Sequence, residues 1–415
     1  MYLDKKGENV FLNAGGIKKV TVANGESKPV NFEAFFDYKP ALERQYMFDH
    51  IWQQVKDKFY DTNIHGVDWE GYRTAYARFL PYINNNYDFR EMMSELLGEL
   101  NGSHTGARYY SDGAELQTAY LGLFYDDTYQ GDGLKVKEII AKSPIAIIKS
   151  KLTEGCVIEK IDGQDIKAGK DYFPLLEGKA GRKVRLSVYN PTNKQRFDVT
   201  IKAISQGAQN QLLYDRWIER NRLLVDKLSG GRLAYVHVKA MDSPSFRHVY
   251  SELLGRHRNK EAVIVDTRHN GGGWLHDDLA TLLSGKQYQR FVAHGQYIGR
   301  DPYNKWVAPS CVLICEDNYS NAHGFPFVYK TLGIGKLIGA PVPGTMTAVW
   351  WETLIDPSIV FGIPQVGCMD NSGTYCENHQ LEPDIVVYNH PEKALNGEDE
   401  QLEAAVKEML SEIKK

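Results

Sequence analysis

Four stretches of this chain carry residue types that could break an acyl bond by nucleophilic attack. The first is Ser310-Cys-Val-Leu-Ile-Cys-Glu-Asp-Asn-Tyr-Ser-Asn-Ala-His-Gly-Phe-Pro326, with Ser320 as candidate nucleophile. Cys311 to Cys315 reads as a buried strand, and Phe325, Phe327, Val328 and Leu332 return at helical spacing, so Ser320 falls where strand gives way to helix. At such a junction the Asn321 amide has no intrahelical acceptor and can face a developing oxyanion. A serine at a helix start is more often an N-cap, so this position alone does not make a nucleophile. The second stretch, Leu100-Asn-Gly-Ser-His-Thr-Gly106, breaks a helix and presents Ser103 with His104, a candidate base; a histidine just past a helix end is commonly a solvated or capping residue. The third holds Glu377 in the loop before the last strand, where a solvated carboxylate is the plain alternative. The fourth, His269-Asn-Gly-Gly-Gly-Trp274, follows a buried strand from Ala262 to Arg268. Its glycines allow close backbone approach to a ligand, as a phosphate cradle or as oxyanion donors. No Gly-Lys-Ser/Thr follows, and Gly333-Ile-Gly335 with Gly339 mis-spaces a dinucleotide fingerprint, which excludes both nucleotide readings.

The elements that must hold these residues fall into blocks. Residues 1–37 alternate short β runs (Val20-Thr-Val22, Val30-Asn-Phe32) with turns, too few to form a sheet alone, and read as the end of a larger β-rich region. From 38 to 112 the period becomes helical: Phe48, Ile51, Trp52, Val55 and Phe59, then Trp69, Tyr72, Tyr76, Phe79 and Leu80, then Phe89, Met93, Leu96, Leu97 and Leu100 predict a three-helix bundle. Residues 113–208 are mainly β, with a helix starting at Ser143-Pro144, and are similar to a PDZ domain, which binds an extended peptide at a sheet edge. Leu121, Gly122, Leu123 and Phe124 stand where its carboxylate-binding loop would be; a β-rich insert that binds no peptide end is the alternative. From 209 to 415, strands (Leu233 to Val238, Ala262 to Arg268) alternate with helices and predict an α/β core closed by a helix through Leu402, Ala405, Val406, Met409 and Leu410.

Six features recur together in one order: Phe59-Tyr-Asp61 with His65-Gly-Val-Asp-Trp69, Gly98 to His104, the PDZ-like insert, Asp266 to Gly273, Asn318-Tyr-Ser-Asn-Ala-His323, and Glu377-Asn378 with Glu382-Pro-Asp-Ile385. Over roughly residues 38–390 the chain resembles the tricorn-type serine peptidases among the C-terminal processing proteases. The resemblance implies an α/β multidomain fold with a crotonase-like core, and a peptidase with Ser320 as nucleophile, His104 as base, Ser103 and Glu377 as orienting partners, and an oxyanion hole from Asn321 and Gly271, Gly272 and Gly273. It also implies β-propellers upstream, of which residues 1–37 would be the remnant. A histidine base would titrate at about 6 to 7. The sequence departs from the family at three points: Thr345 occupies the position of the lysine base of Ser/Lys relatives, Asn321 replaces an aspartate, and His323 replaces a glutamate.

Composition bounds the partners. A chain of 415 residues with net charge −4 and no dense Lys/Arg block points away from nucleic acid and anionic membrane, and no apolar run reaches membrane-spanning length. The start lacks the apolar core of a signal peptide, leaving cytoplasm or periplasm open. Five scattered cysteines form no CxxC pattern, so the sequence calls for no metal or cofactor. The expected partner is a peptide or unfolded protein; a homo-oligomer is compatible. A non-catalytic scaffold binding peptides or hydrophobic ligands is the alternative function. An α/β-hydrolase esterase would need G-x-S-x-G, and Tyr319 and Asn321 flank Ser320 without it.

Overall fold

In the computed structural model the described residues are 1–13, 15–35, 37–111, 116–148 and 151–414. The boundary expected at 112/113 lies outside them. The N-terminal stretch forms a four-stranded antiparallel sheet, Tyr2–Leu3, Asn9–Asn13, Ile17–Thr21 and Ser27–Pro29, most of it exposed. The sequence reading undercounted it: Tyr2–Leu3 and Ser27–Pro29 are too short to show a period, Asn9–Asn13 and Ile17–Thr21 have no buried face to impose one, and the expected run Val30-Asn-Phe32 lies outside any strand. Asp4 organises the first turn, accepting from Glu8 N at 2.9 Å and Asn9 Nδ2 at 2.7 Å.

Helices Pro40–Lys58, Trp69–Ala77 and Asn86–Gly98 follow, the last two N-capped by Asp68 and Asn85. Their apolar faces do not close on one another alone. Phe48, Ile51, Val55, Phe89, Met93 and Leu97 share one core with Ile359, Phe361 and Ile363, which come from a three-stranded antiparallel sheet of Thr347–Thr353, Ile359–Gly367 and Gly106–Tyr109. Each such fully buried side chain contributes about 1.5–3 kcal/mol, so the helices and this sheet hold each other in place. That shared core ties the strand that starts two residues after His104 to residues far along the chain.

Residues 116–148 and 151–204 make a separate six-stranded sheet in the order Gln195–Lys202, Lys183–Asn190, Val157–Ile161, Leu134–Ile139, Leu123–Tyr125, with Gln164–Asp165 paired to Val157–Ile161. It has its own core, including Leu121, Val136, Ile158, Ile161, Val184, Leu186 and Val188. The alternation of Val184, Leu186 and Val188 shows how period two sends one face inward.

The last unit is built on a five-stranded parallel sheet in the order Leu233–His237, Ala262–Asp266, Ser310–Ile314, Lys336–Gly339, Ile385–Val386. Both faces are covered, as parallel sheets require. Ala234, Val236, Val263, Val265, Val312 and Ile314 pack toward helices His276–Leu283 and Asn321–Thr331, while Leu233, Tyr235, Ala262, Ile264, Cys311 and Leu313 pack toward helices Gln206–Ser229 and Glu400–Glu412. The glycine run and the Ser320 loop both leave the carboxyl ends of adjacent strands, where ligands bind in open α/β sheets. Among the described residues no helix is long and apolar enough to cross a membrane.

Candidate active site

Ser320 ends the loop from strand Ser310–Ile314 and occupies the N-cap place of helix Asn321–Thr331, yet its side chain makes no capping hydrogen bond. Its backbone stands at φ 59°, ψ −125°, a conformation costing on the order of 1–3 kcal/mol in a non-glycine residue. The neighbours hold it there: Ser320 N donates to Thr345 Oγ1 at 3.1 Å, and its carbonyl accepts from His323 N and Gly324 N. Thr345 therefore anchors the backbone of this turn through its side chain. The ordinary N-cap explanation of Ser320 fails on this geometry.

A relay runs up to His104. Glu377 is only 2% exposed, which removes the solvated-carboxylate alternative. Its Oε1 accepts from Ser103 N at 2.5 Å and its Oε2 from Ser103 Oγ at 3.0 Å. With that proton given to an ionised carboxylate, Ser103 Oγ accepts from His104 Nδ1 at 2.8 Å. Thr347 Oγ1 lies 3.0 Å from the same nitrogen and 3.1 Å from Ser103 Oγ. Nδ1 thus carries the proton, and Nε2 keeps the lone pair a base needs. Burial raises the Glu377 carboxyl above its ordinary value, an effect the two Ser103 bonds oppose. Burial lowers the His104 imidazole to about 4, below the 6 to 7 expected from an average histidine.

Tyr319 joins the two halves. Its hydroxyl accepts from His104 N at 2.6 Å, and its ring lies 4.7 Å from the imidazole. Among the described residues no hydrogen bond links the His104 ring to Ser320 Oγ; both line one cleft of ≈ 450 Å³, with Gly271, Gly273, Trp274, Asn321 and Arg108. Catalytic contacts are often long in an empty site and tighten when substrate arrives.

The glycine loop abuts the serine. A Cβ on Gly272, at φ +95°, would sit 2.6 Å from Ser320 Cβ and 2.7 Å from the Tyr319 carbonyl. The Gly272 N–H donates to Asn270 Oδ1 at 2.8 Å and is spent, while no acceptor for the amides of Gly271, Gly273 or Asn321 is found among the described residues. Gly272 is thus a steric requirement rather than an oxyanion donor, which corrects one of the three glycine assignments. The Asn321 side chain is committed: Oδ1 accepts from Leu275 N at 2.7 Å and His276 N at 3.0 Å, and Nδ2 lies 2.7 Å from His276 Nδ1. The loop's other anchor is buried Arg268, bonded to Asp266 and Asp399. His323 is buried behind the turn, its Nδ1 3.4 Å from Thr345 N.

The structure brings Ser320, His104, Ser103, Glu377, Asn321 and the glycines together, but not Leu121, Gly122, Leu123 and Phe124. None of those four lines the cleft. The Gly122 N–H, which a terminal carboxylate would need, donates to Gln209 Oε1 at 3.2 Å, and Arg216 lies over the Phe124 ring. Sequence reasoning missed Thr347, Tyr319 and Arg108. Thr347 opens the aromatic strand after Pro343-Gly344, and a hydroxyl at that strand start was its only visible signal.

Three family descriptions fit the chain: the Tricorn protease C1 domain over residues 40–98, the Tricorn protease PDZ domain over 125–206, and Peptidase family S41 over 232–387. Tricorn protease homolog 1 of Streptomyces coelicolor is 26% identical over 383 residues, covering 89% of this chain and 35% of its own length. Tricorn protease of Thermoplasma acidophilum is 25% identical over 389 residues, with the same 89% and 35% coverage. The chain thus spans about a third of the length of these curated relatives. The crystal structure of the tricorn protease superposes with a TM-score of 0.84 at 22% identity, over 100% of this chain and 41% of that one. The chain is a tricorn protease homologue, assembled from a C1 segment, a PDZ domain and a family S41 peptidase domain.

Proposed function

We propose that this protein is a serine peptidase that cleaves peptides or unfolded polypeptides in the cleft at Ser320. The observation that carries the reading is the Glu377–Ser103–His104 relay beside a serine held in an unfavourable backbone conformation with its hydroxyl uncommitted to the helix. Ser320 Oγ attacks the scissile carbonyl as His104 Nε2 takes its proton. The tetrahedral oxyanion is met by the amides of Asn321, Gly271 and Gly273. His104 then returns the proton to the leaving amine, and a water repeats the sequence on the acyl-enzyme. Ser103, Glu377 and Thr347 act on the tautomer and orientation of the imidazole.

A fluorophosphonate probe should label one serine per chain, and peptide mapping should place the label on Ser320. Labelling elsewhere, or none in a folded sample, would leave the scaffold reading instead. Relatives of the family S41 domain and the occupied relay argue for catalysis over that scaffold.

Substrate binding is assigned to the cleft rather than to residues 121–124. Among the cleft-lining residues Arg108 alone carries a formal charge, and its guanidinium lies 3.7 Å from the Trp351 ring centroid with no ion pair or hydrogen bond found among the described residues. The Trp351 ring is in turn held against Gly362, where a Cβ would come within 2.9 Å of it. A planar cation so positioned suits a carboxylate. Peptides with an acidic residue near the scissile bond should be cut about 10-fold faster than lysine counterparts, and Arg108→Glu should reverse that ratio in kcat/KM. An unchanged ratio in the variant would remove Arg108 from recognition.

A further inference from the structure

Away from the cleft, one cluster among the described residues joins three side chains able to ligate a metal: His269, Cys315 and Asp317. His269 lies just past strand Ala262–Asp266 and Cys315 just past strand Ser310–Ile314, neighbours in the parallel sheet, so the fold itself delivers an imidazole and a thiol to the same sheet edge. The chain returns Asp317 over both. His269 Nδ1 is 2.8 Å from Asp317 Oδ2, and Cys315 Sγ is 2.7 Å from Asp317 Oδ1. All three donor atoms fall within 4.8 Å of one another. The thiol forms a buried floor, while the histidine and aspartate side chains are 60% and 58% exposed, leaving one side open to solvent.

We propose that His269 Nδ1, Cys315 Sγ and the Asp317 carboxylate form a site for one thiophilic divalent cation of the zinc class, with water in the fourth position. Nitrogen, sulfur and oxygen donors in one set select zinc or cobalt over magnesium or calcium, which take oxygen alone. On binding, the cation takes the place of the thiol proton, which leaves to solvent, and the existing hydrogen bonds to Asp317 give way to metal–ligand bonds. The remaining contacts support the geometry: His269 N donates to Cys315 Sγ at 3.3 Å, and Asn318 Oδ1 lies 3.1 Å from the sulfur. The cation would clip the loop carrying Gly271 to Gly273 to the loop carrying Ser320. Those loops are already joined by Tyr319 N donating to the Asn270 carbonyl at 3.0 Å. The site does not depend on the peptidase reading.

The test is a titration of the full chain with Co²⁺, read by absorbance. One ion per chain should bind, giving the near-ultraviolet thiolate-to-cobalt band and the visible bands of a four-coordinate site, and Zn²⁺ should displace it. Cys315→Ser should abolish the sulfur band. Because Cys315 is buried and that variant could unfold, the exposed His269→Gln and Asp317→Asn variants supply the second arm, each expected to weaken binding by at least about 100-fold, since loss of an outer-shell partner alone costs about 10- to 100-fold. His104→Ala, which removes the imidazole that lines the cleft with Ser320, should leave the spectrum and stoichiometry unchanged. Absence of a sulfur band in the unmodified chain, or binding that survives His269→Gln and Asp317→Asn undiminished, would overturn the proposal.

Discussion

Ser320→Ala and His104→Ala should each lower the rate of the chemical step by about 10⁴- to 10⁶-fold, with the double variant little worse than either single one, because members of one catalytic unit are not additive. Glu377→Ala and Ser103→Ala should cost less, about 10²-fold, since they orient the imidazole and do not touch substrate. The pH profile separates this arrangement from its rivals. Burial lowers His104 to about 4, so the neutral base form prevails at every pH above that. kcat/KM should therefore stay level as pH falls from about 7 to about 5 and drop only near 4, whereas an ordinary histidine titrates at about 6.5. An acid limb centred at 6 to 7 would show the ring solvated in the working protein. Stability follows the same sign: between about 6.5 and 4 the unfolded chain binds protons at His104 and His323 that the folded chain does not, so stability declines as pH falls through that window. The folded fraction must be measured alongside rate. Lys336 is the control for a lysine base. Its Nζ pairs with Glu408 at 2.5 Å and Glu412 at 3.8 Å, and Lys336→Ala should leave turnover near normal. Loss of activity in Lys336→Ala with retention in His104→Ala would end the histidine mechanism.

Gly272→Ala should reduce kcat by about 10²- to 10³-fold, the scale of a lost oxyanion donor, while leaving KM and the melting temperature much less affected. The added methyl group meets Ser320 Cβ at 2.6 Å, the Tyr319 carbonyl at 2.7 Å and the Asn321 nitrogen at 3.1 Å, and the φ of +95° already disfavours any side chain. Two of those three contacts are backbone, which cannot swing aside. Relief must come from moving the turn that sets both Ser320 and the Asn321 amide. Gly255→Ala, at a position with open space around it, controls for the generic effect of the substitution. Gly272→Ala with normal kcat would show that this loop yields freely and that its close approach to Ser320 has no part in rate.

The units were legible in the sequence where apolar residues are periodic. Phe48, Ile51, Trp52 and Val55 predicted the first helix, Ala262 to Arg268 the buried strand, and the polar turn after Cys315 the strand-to-helix junction at Ser320, because local period and turn chemistry act within a few residues. The N-terminal strands are two to five residues long and none has a buried face, so no apolar alternation marks them. The helical block also read as self-contained, since nothing local reveals that its core is completed by Ile359, Phe361 and Ile363. The site divides along the same line. Residue types and the family resemblance singled out Ser320, His104, Ser103 and Glu377 and the role expected of each, but not the contacts that join them or the part of Thr347: Glu377 meets Ser103 across 274 positions and Thr347 meets His104 across 243. The downward pull on His104, the loss of the Gly272 N–H to Asn270, the occupation of Gly122 by Gln209 and the meeting of His269 with Cys315 and Asp317 were likewise decided only by the tertiary structure. Burial, shared hydrogen-bond partners and contacts between adjacent parallel strands depend on what the rest of the chain brings to a residue, and sequence spacing carries no measure of that.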